Sequence, residues 1–201
     1  RLQDEEVEYI VSDCQAKAFI TSKSQQHLVE KLSLDHCHSF MVDGVAAGFN
    51  SWEESLAEMP AEKIADESIG VQMLYSSGTT GRPKGVYKPL PEGEYGVDEG
   101  PNLFGMLYGV SVDSIYLSPA PLYHAAPLTF TMGMLSMGVT CIVMQHFEAE
   151  ASLAAIEKYE VTHSQWVPTM FIRMLKLDDD VRLKYDISSL QCAIHAAAPC
   201  P

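Results

Sequence analysis

An α/β fold of alternating helices and mainly parallel sheets is what this sequence predicts, on three observations. Segments with apolar residues at helical spacing alternate with short β-prone runs along the chain, the order expected where crossovers join parallel strands. The 47% hydrophobic content of the 201 residues suffices for a sizeable core in one or two compact units. No apolar run approaches the ~20 residues of a membrane span.

From the N-terminus, Val7, Ile10 and Val11 share one face of a helix over Asp4 to Ser12, and Ala18-Phe19-Ile20 follows as a short apolar run. Helix spacing returns over Ser24 to Leu32, with Leu28, Val29 and Leu32 on one face, and Cys37 to Val42 reads as a strand. Trp52, Leu56 and Met59 define a short helix ended by Pro60. An acidic linker then leads into the alternating run Ile69, Val71, Met73, Tyr75, read as a strand. Pro89, Pro91, Gly93, Gly96 and Gly100 cannot sustain a helix and imply a surface excursion, after which Pro101 suits a first helical position with Leu103, Phe104, Leu107 and Tyr108 turned inward. Ser114 to Ser118 returns to strand and is broken by Pro119-Ala120-Pro121, the expected boundary between a first subdomain (1–118) and a second (119–201). Beyond it, a helix over Ala126 to Met137 stops at Gly138, and Val139 to Met144 is β-prone. Glu148 to Tyr159 is an amphipathic helix with Leu153 and Ile156 inward. Val161 to Val167 is a strand closed by Pro168, Thr169 is placed to cap a helix carrying Met170, Ile172, Met174 and Leu175, and Ala193 to Ala198 forms the last strand and its exit.

Thirteen basic against 27 acidic side chains give a formal charge of −14, which repels nucleic acid and anionic membranes. Five cysteines without a Cys-x-x-Cys pair suggest reduced thiols, and His36-Cys37-His38 offers too few convergent ligands for a metal. The acidic start has no signal-peptide character, so a cytoplasmic protein is expected. A start without methionine and a stop at Ala196-Ala197-Ala198-Pro199-Cys200-Pro201 give the chain the look of a fragment.

The most informative stretch is Ser76-Ser77-Gly78-Thr79-Thr80-Gly81-Arg82-Pro83-Lys84-Gly85. Glycines let backbone N–H groups turn inward into a concave nest, four hydroxyls add neutral donors, and Arg82 and Lys84 add charge-assisted ones. That combination suits a polyphosphate. It differs from the common phosphate loop, in which Gly-Lys is followed by a hydroxyl residue; here Lys84 follows Pro83 and precedes Gly85. These ten consecutive positions instead resemble the ATP-binding signature of the adenylate-forming enzymes, among them acyl-CoA synthetases, luciferases and amino-acid-activating domains. The resemblance implies that Ser76, Ser77, Gly78, Thr79, Thr80, Gly81, Arg82 and Lys84 bind ATP, with Lys84 also assisting the chemistry.

Three further segments carry the resemblance. Pro121-Leu122-Tyr123-His124-Ala125-Ala126-Pro127 is similar to the family's segment beside the activated carboxylate, which implies His124 near the acyl carbonyl and Ala125 and Ala126 along the acyl pocket. A neutral imidazole at a helix N-terminus can donate a hydrogen bond there without being charged, although a packed histidine ending a loop is the plainer alternative. The Asp that amino-acid-activating members use for the substrate ammonium is missing from this segment. Met132, Met134 and Met137 follow on the adjoining helix, either as acyl-pocket lining or as plain core. His195-Ala196-Ala197-Ala198-Pro199 resembles the small-residue strand exit that contacts adenine, implying roles for Ala196, Ala197 and Ala198, while core packing explains three alanines equally well. Trp166-Val167-Pro168-Thr169-Met170-Phe171 is similar to a strand-to-helix turn of the family and is taken as structural.

The resemblance therefore implies part of the large N-terminal domain of an adenylate-forming enzyme, of the bacterial acyl-CoA synthetase type. Its substrates would be ATP with Mg2+, a fatty or other apolar carboxylic acid, and coenzyme A. The family's magnesium-binding Glu segment, ribose-binding Asp and catalytic-lysine domain come later than Pro201, so little turnover by these 201 residues alone is expected, and no metal ligand is assigned. The alternatives are another acceptor, such as a carrier-protein thiol or the oxygen of luciferases, and a non-catalytic nucleotide-binding module.

Overall fold

The structure, a computed structural model, describes residues 3–76, 82–93, 103–196 and 198–199. It divides into two compact units, Arg1–Asp98 and Glu99–Pro201. The expected boundary at Pro119 falls inside the second unit, because the strand it terminates, Ile115–Ser118, pairs on both edges with strands later in the chain.

The first unit opens with α1 (Asp4–Asp13), whose acidic first turn complements the positive end of the helix dipole; the Glu6 carboxylate also accepts from the Gln3 N–H at 2.8 Å. β1 (Ala18–Ser22), β2 (His38–Val42) and β3 (Asn50–Ser51) form a parallel sheet in that order, with Ala18 opposite His38 and Met41 opposite Ser51. Between the first two strands the helix expected over Ser24 to Leu32 is reduced to a 3-10 turn and the single turn α2 (Gln26–Val29). α3 (Trp52–Ala57) is capped by Ser51, whose Oγ accepts from the Glu54 N–H at 3.2 Å, and Trp52 packs edge-on against Phe40 of β2. β4 (Leu74–Ser76) and β5 (Lys84–Val86) then pair antiparallel. Regular pairing thus begins at Leu74, later than the alternation from Ile69 suggests.

In the second unit α4 (Leu103–Tyr108), β6 (Ile115–Ser118), α5 (Ala125–Ser136), β7 (Thr140–Val143), α6 (Ala149–Tyr159), β8 (His163–Trp166), α7 (Pro168–Leu175), α8 (Asp179–Arg182) and β9 (Cys192–His195) follow in order. The strands form one parallel sheet, β7-β6-β8-β9. Successive side chains of a strand point to opposite faces, so Tyr116 and Leu117 of β6 enter different cores. Tyr116 joins Val110, Met134 and Val139, beside Phe104 and Phe130, under α5. Leu117 joins Leu153, Ile156, Val161, Trp166, Met170 and Met174 under α6 and α7. Every residue of β8 is buried, as a strand covered by helices on both faces requires.

Several expected orientations change. Leu103 and Leu107 are exposed, and Phe104 and Tyr108 supply the packing face of α4. Met134 is fully buried core while Met132 is exposed. Pro168 takes the first helical position of α7 with Val167 at the cap, which leaves Thr169 inside the first turn. Pro101 and the part of the Pro/Gly-rich stretch from residue 94 lie outside the described residues.

Candidate nucleotide and acyl site

The phosphate-loop sequence is carried by a hairpin. Its legs are β4 and β5, in a register that sets Ser76 opposite Lys84 and Tyr75 opposite Gly85. The Ser76 hydroxyl donates to the Lys84 carbonyl at 3.4 Å, so the last residue before the loop and the lysine after it are neighbours. Ser77, Gly78, Thr79, Thr80 and Gly81 lie outside the described residues. Lys84 is exposed, and the antiparallel return strand that carries it was not foreseen. Lys84-Gly85-Val86 has no alternation long enough to announce a strand.

Gly85 has a steric reason to be glycine. A Cβ there would collide with Cε of Met73 and would lie 2.9 Å from Cζ of the Tyr75 ring, which crosses the Gly85 backbone on its way to α1. There the Tyr75 hydroxyl donates to Asp13 Oδ2 at 2.5 Å; burial first, and then this carboxylate, push the phenol pKa up. On the other leg the Arg82 guanidinium lies 5.4 Å from the centroid of the Tyr9 ring, also on α1. The sequence reading missed Tyr9 and Asp13, because nothing local marks a helix residue as the partner of a distant loop.

The second unit, by itself, carries a set of residues at the carboxyl edge of its parallel sheet, where open α/β sheets bind ligands. The chain leaves β6 through Pro119-Ala120-Pro121 and reaches His124, the N-cap residue of α5. His124 is exposed, its ring centroid 4.6 Å from that of Tyr123, and its carbonyl accepts from the Leu128 N–H. Ala125 is exposed and Ala126 half-buried in the first turn of the same helix. β8 and β9 end beside one another, with Trp166 opposite His195, and the Ala196 N–H donates to the Trp166 carbonyl at 3.0 Å. Parallel direction therefore brings the His124 and Ala196 segments to one edge of one sheet. Ala198 is exposed and Ala197 lies outside the described residues.

Trp166 is core, packed between Phe147 and Phe171, in keeping with a structural role. His195 stacks on Phe171 with rings 11° from parallel, and its Nε2 is buried without a hydrogen-bond partner among the described residues. A buried donor or acceptor left unpaired is uncommon in a folded protein. Among the described residues no His, Cys, Asp or Glu cluster could hold a metal ion, and no helix is long and apolar enough to cross a membrane.

The comparisons with known proteins give the family and the fold. The model of the AMP-binding enzyme family matches residues 1–201. The probable CoA ligase CCL5 of Humulus lupulus is 34% identical over 161 residues, covering 72% of this chain and 27% of its own length. A 4-coumarate–CoA ligase of Petroselinum crispum is 35% identical over 153 residues, again covering 27% of its length. In structure, the N-terminal domain of FACL13 from Mycobacterium tuberculosis, crystallised with an inhibitor, superposes with a TM-score of 0.77 at 25% identity and covers 100% of this chain and 50% of that one. The chain thus spans about a quarter of the length of the curated relatives it matches. A family match over its whole length, with relatives that are CoA ligases and a mixed α/β fold shared with an N-terminal domain, makes this chain a member of the AMP-binding enzyme family.

Proposed function

We propose that the chain carries the ATP-loop and acyl-edge portion of an AMP-forming carboxylate–CoA ligase. The single observation that carries this reading is the hairpin register, which sets Ser76 and Lys84 side by side at the root of the Gly/Ser/Thr loop. ATP and the attacking carboxylate are both anions, so the loop must offset their repulsion before acyl-AMP can form. Lys84 supplies charge at a fixed point, Ser76 to Gly81 supply hydroxyls and backbone N–H groups, and Arg82 adds a second cation. The residues fit an anion. Among the described residues no cluster of carboxylates stands ready for Mg2+.

On this reading His124, at the N-terminus of α5, lies beside the acyl carbonyl, Ala125 and Ala126 flank it, and Ala196 to Ala198 line the adenine side. The unpaired Nε2 of His195 is an additional polar group for the bound acyl-adenylate. Coenzyme A is the acceptor named by the relatives, and its thiol would displace AMP in a second step. The acid expected is fatty or otherwise apolar; relatives named for 4-coumarate favour an aromatic member of that class, and Met134, one of the methionines considered for acyl contact, is fully buried core. An aromatic or otherwise apolar carboxylic acid fits both. The location expected is the cytoplasm, although one relative is named as peroxisomal.

Titration of the chain with ATP, followed by calorimetry, tests the loop. Lys84→Ala is expected to weaken binding about tenfold or more, since a charge-assisted phosphate contact is lost. Equal affinity in the wild type and Lys84→Ala would sink the assignment. Pyrophosphate–ATP exchange by the protein that carries this sequence, over aryl and fatty acids, identifies the acid; greater exchange with the fatty acids would point to the fatty member instead.

A further inference from the structure

The two legs of the hairpin are fastened to one face of α1, and the fastening residues are four apart on that helix. Tyr9 and Asp13 lie on the same face at i and i+4. Asp13 Oδ2 accepts from the Tyr75 hydroxyl at 2.5 Å, on the leg entering the loop. Its other oxygen, Oδ1, accepts from the Tyr9 hydroxyl at 3.4 Å. The Tyr9 ring in turn lies under the Arg82 guanidinium, on the leg leaving the loop. Arg82, Tyr9, Asp13 and Tyr75 therefore form a continuous relay joining both legs through one helix.

Asp13 is a poor choice for its position on local grounds. It ends α1, where the helix dipole disfavours a negative charge, and no basic residue occupies that last turn. A residue that breaks a local rule without local compensation points to a use elsewhere, and the described partners of this carboxylate are the two phenols. Tyr75 shows the same commitment. Its ring, together with Met73 Cε, occupies the space a side chain at Gly85 would need.

We propose that Tyr9 and Asp13 are positioning residues for the nucleotide site: α1 acts as a brace that holds β4 and β5 at fixed separation and so presents Lys84 to the nucleotide. This rests on the reading of the loop as an ATP site. Because braced legs lose less freedom on binding, loosening the brace weakens ATP without removing any group that touches it.

The test combines amide hydrogen exchange without nucleotide and ATP titration, on the full chain. In Asp13→Ala and Tyr75→Phe, the β4 and β5 amides are expected to exchange about fivefold faster while those paired between β1 and β2 keep their wild-type rates, and the ATP dissociation constant rises about fivefold. Tyr75→Phe retains the ring over Gly85, so it isolates the hydroxyl. The double variant is expected to be no weaker than Asp13→Ala alone, since that substitution already removes the Tyr75 bond. Tyr9→Leu is expected to weaken ATP, and Tyr9→Phe, which keeps the aromatic face under Arg82, to recover most of the loss. Unchanged β4 and β5 exchange in Asp13→Ala, additive losses in the double variant, or equal behaviour of Tyr9→Leu and Tyr9→Phe would each overturn the brace. A wild-type chain that shows the expected exchange pattern but binds no ATP would overturn the ATP-site reading instead.

Discussion

His163 joins two elements of the second unit through a single buried ring. It is 1% exposed; its Nε2 lies 3.0 Å from the Tyr108 carbonyl at the end of α4, and its Nδ1 lies 2.8 Å from Thr162 Oγ1. A carbonyl only accepts, so Nε2 carries a proton and donates it there. His163→Leu strips that donor and leaves the carbonyl without it, an expected loss of about 1–3 kcal/mol read as a shift in urea midpoint. His163→Gln, which keeps an N–H donor, is expected to lose less. Gly133 is the steric counterpart: a Cβ on it would lie 2.6 Å from Cζ of Phe104, so Gly133→Ala forces α5 and α4 apart and is expected to cost about 1–3 kcal/mol in the same measurement. Neither constraint was legible in the sequence, where His163 stands in a β-prone run and Gly133 in a helical one. Both depend on an aromatic residue or a carbonyl from α4, brought near only by the fold.

At the scale of elements, legibility follows whether the signal is local. α6 was read almost to the residue, because it carries its own signals: Leu153 and Ile156 on the buried face, and Glu148 ahead of them. The Glu148 side chain accepts from the Glu150 and Ala151 N–H groups, and Glu148→Ala is expected to cost about 1 kcal/mol of thermal stability. At the other end Glu160 takes a left-handed conformation, φ 51°, and the Val161 N–H reaches back to the Ile156 carbonyl. Glycine meets no Cβ penalty in that region, so Glu160→Gly is expected to gain about 0.5 kcal/mol, seen as a higher melting temperature. β5 is the opposite case. Its three residues have no strand pattern of their own and become a strand only because β4 offers edge hydrogen bonds. The loop chemistry was therefore readable while the hairpin that frames it was not. α4 is a mixed case: Phe104 and Tyr108, expected inward, do pack against the core, while Leu103 and Leu107, expected beside them, are exposed, because spacing alone does not say how wide a face the helix buries.

For the whole molecule, the α/β alternation was readable because each strand and helix announces itself, whereas the division at Asp98 was not, since it depends on which strands share a sheet. The two units can be watched separately, because the chain's two tryptophans are Trp52 in the first and Trp166 in the second. Trp166 is 1% exposed in the core, so its fluorescence in a Trp52→Phe background reports unfolding of the second unit. That unit holds Tyr116 and Cys141 directly opposite one another on β6 and β7. Burial pushes both groups' pKa values up, and for Tyr116 the neighbouring Cys141 adds to the rise. A folded pKa above the unfolded one means that the unfolded chain releases its proton first. Stability from these groups is then complete below their unfolded values, near 8.5 for a thiol and 10 for a phenol, and is lost as pH rises through the folded values. The second unit is expected to hold its urea midpoint to about pH 8 and to weaken above it, the slope approaching about 1.4 kcal/mol per pH unit for each group that has ionised only in the unfolded chain. Tyr116→Phe removes the phenol and keeps the ring, so it is expected to flatten the curve above pH 10 while leaving the thiol's part between pH 8.5 and 10. An alkaline slope above pH 10 that Tyr116→Phe fails to change would mean that another group in this unit governs it.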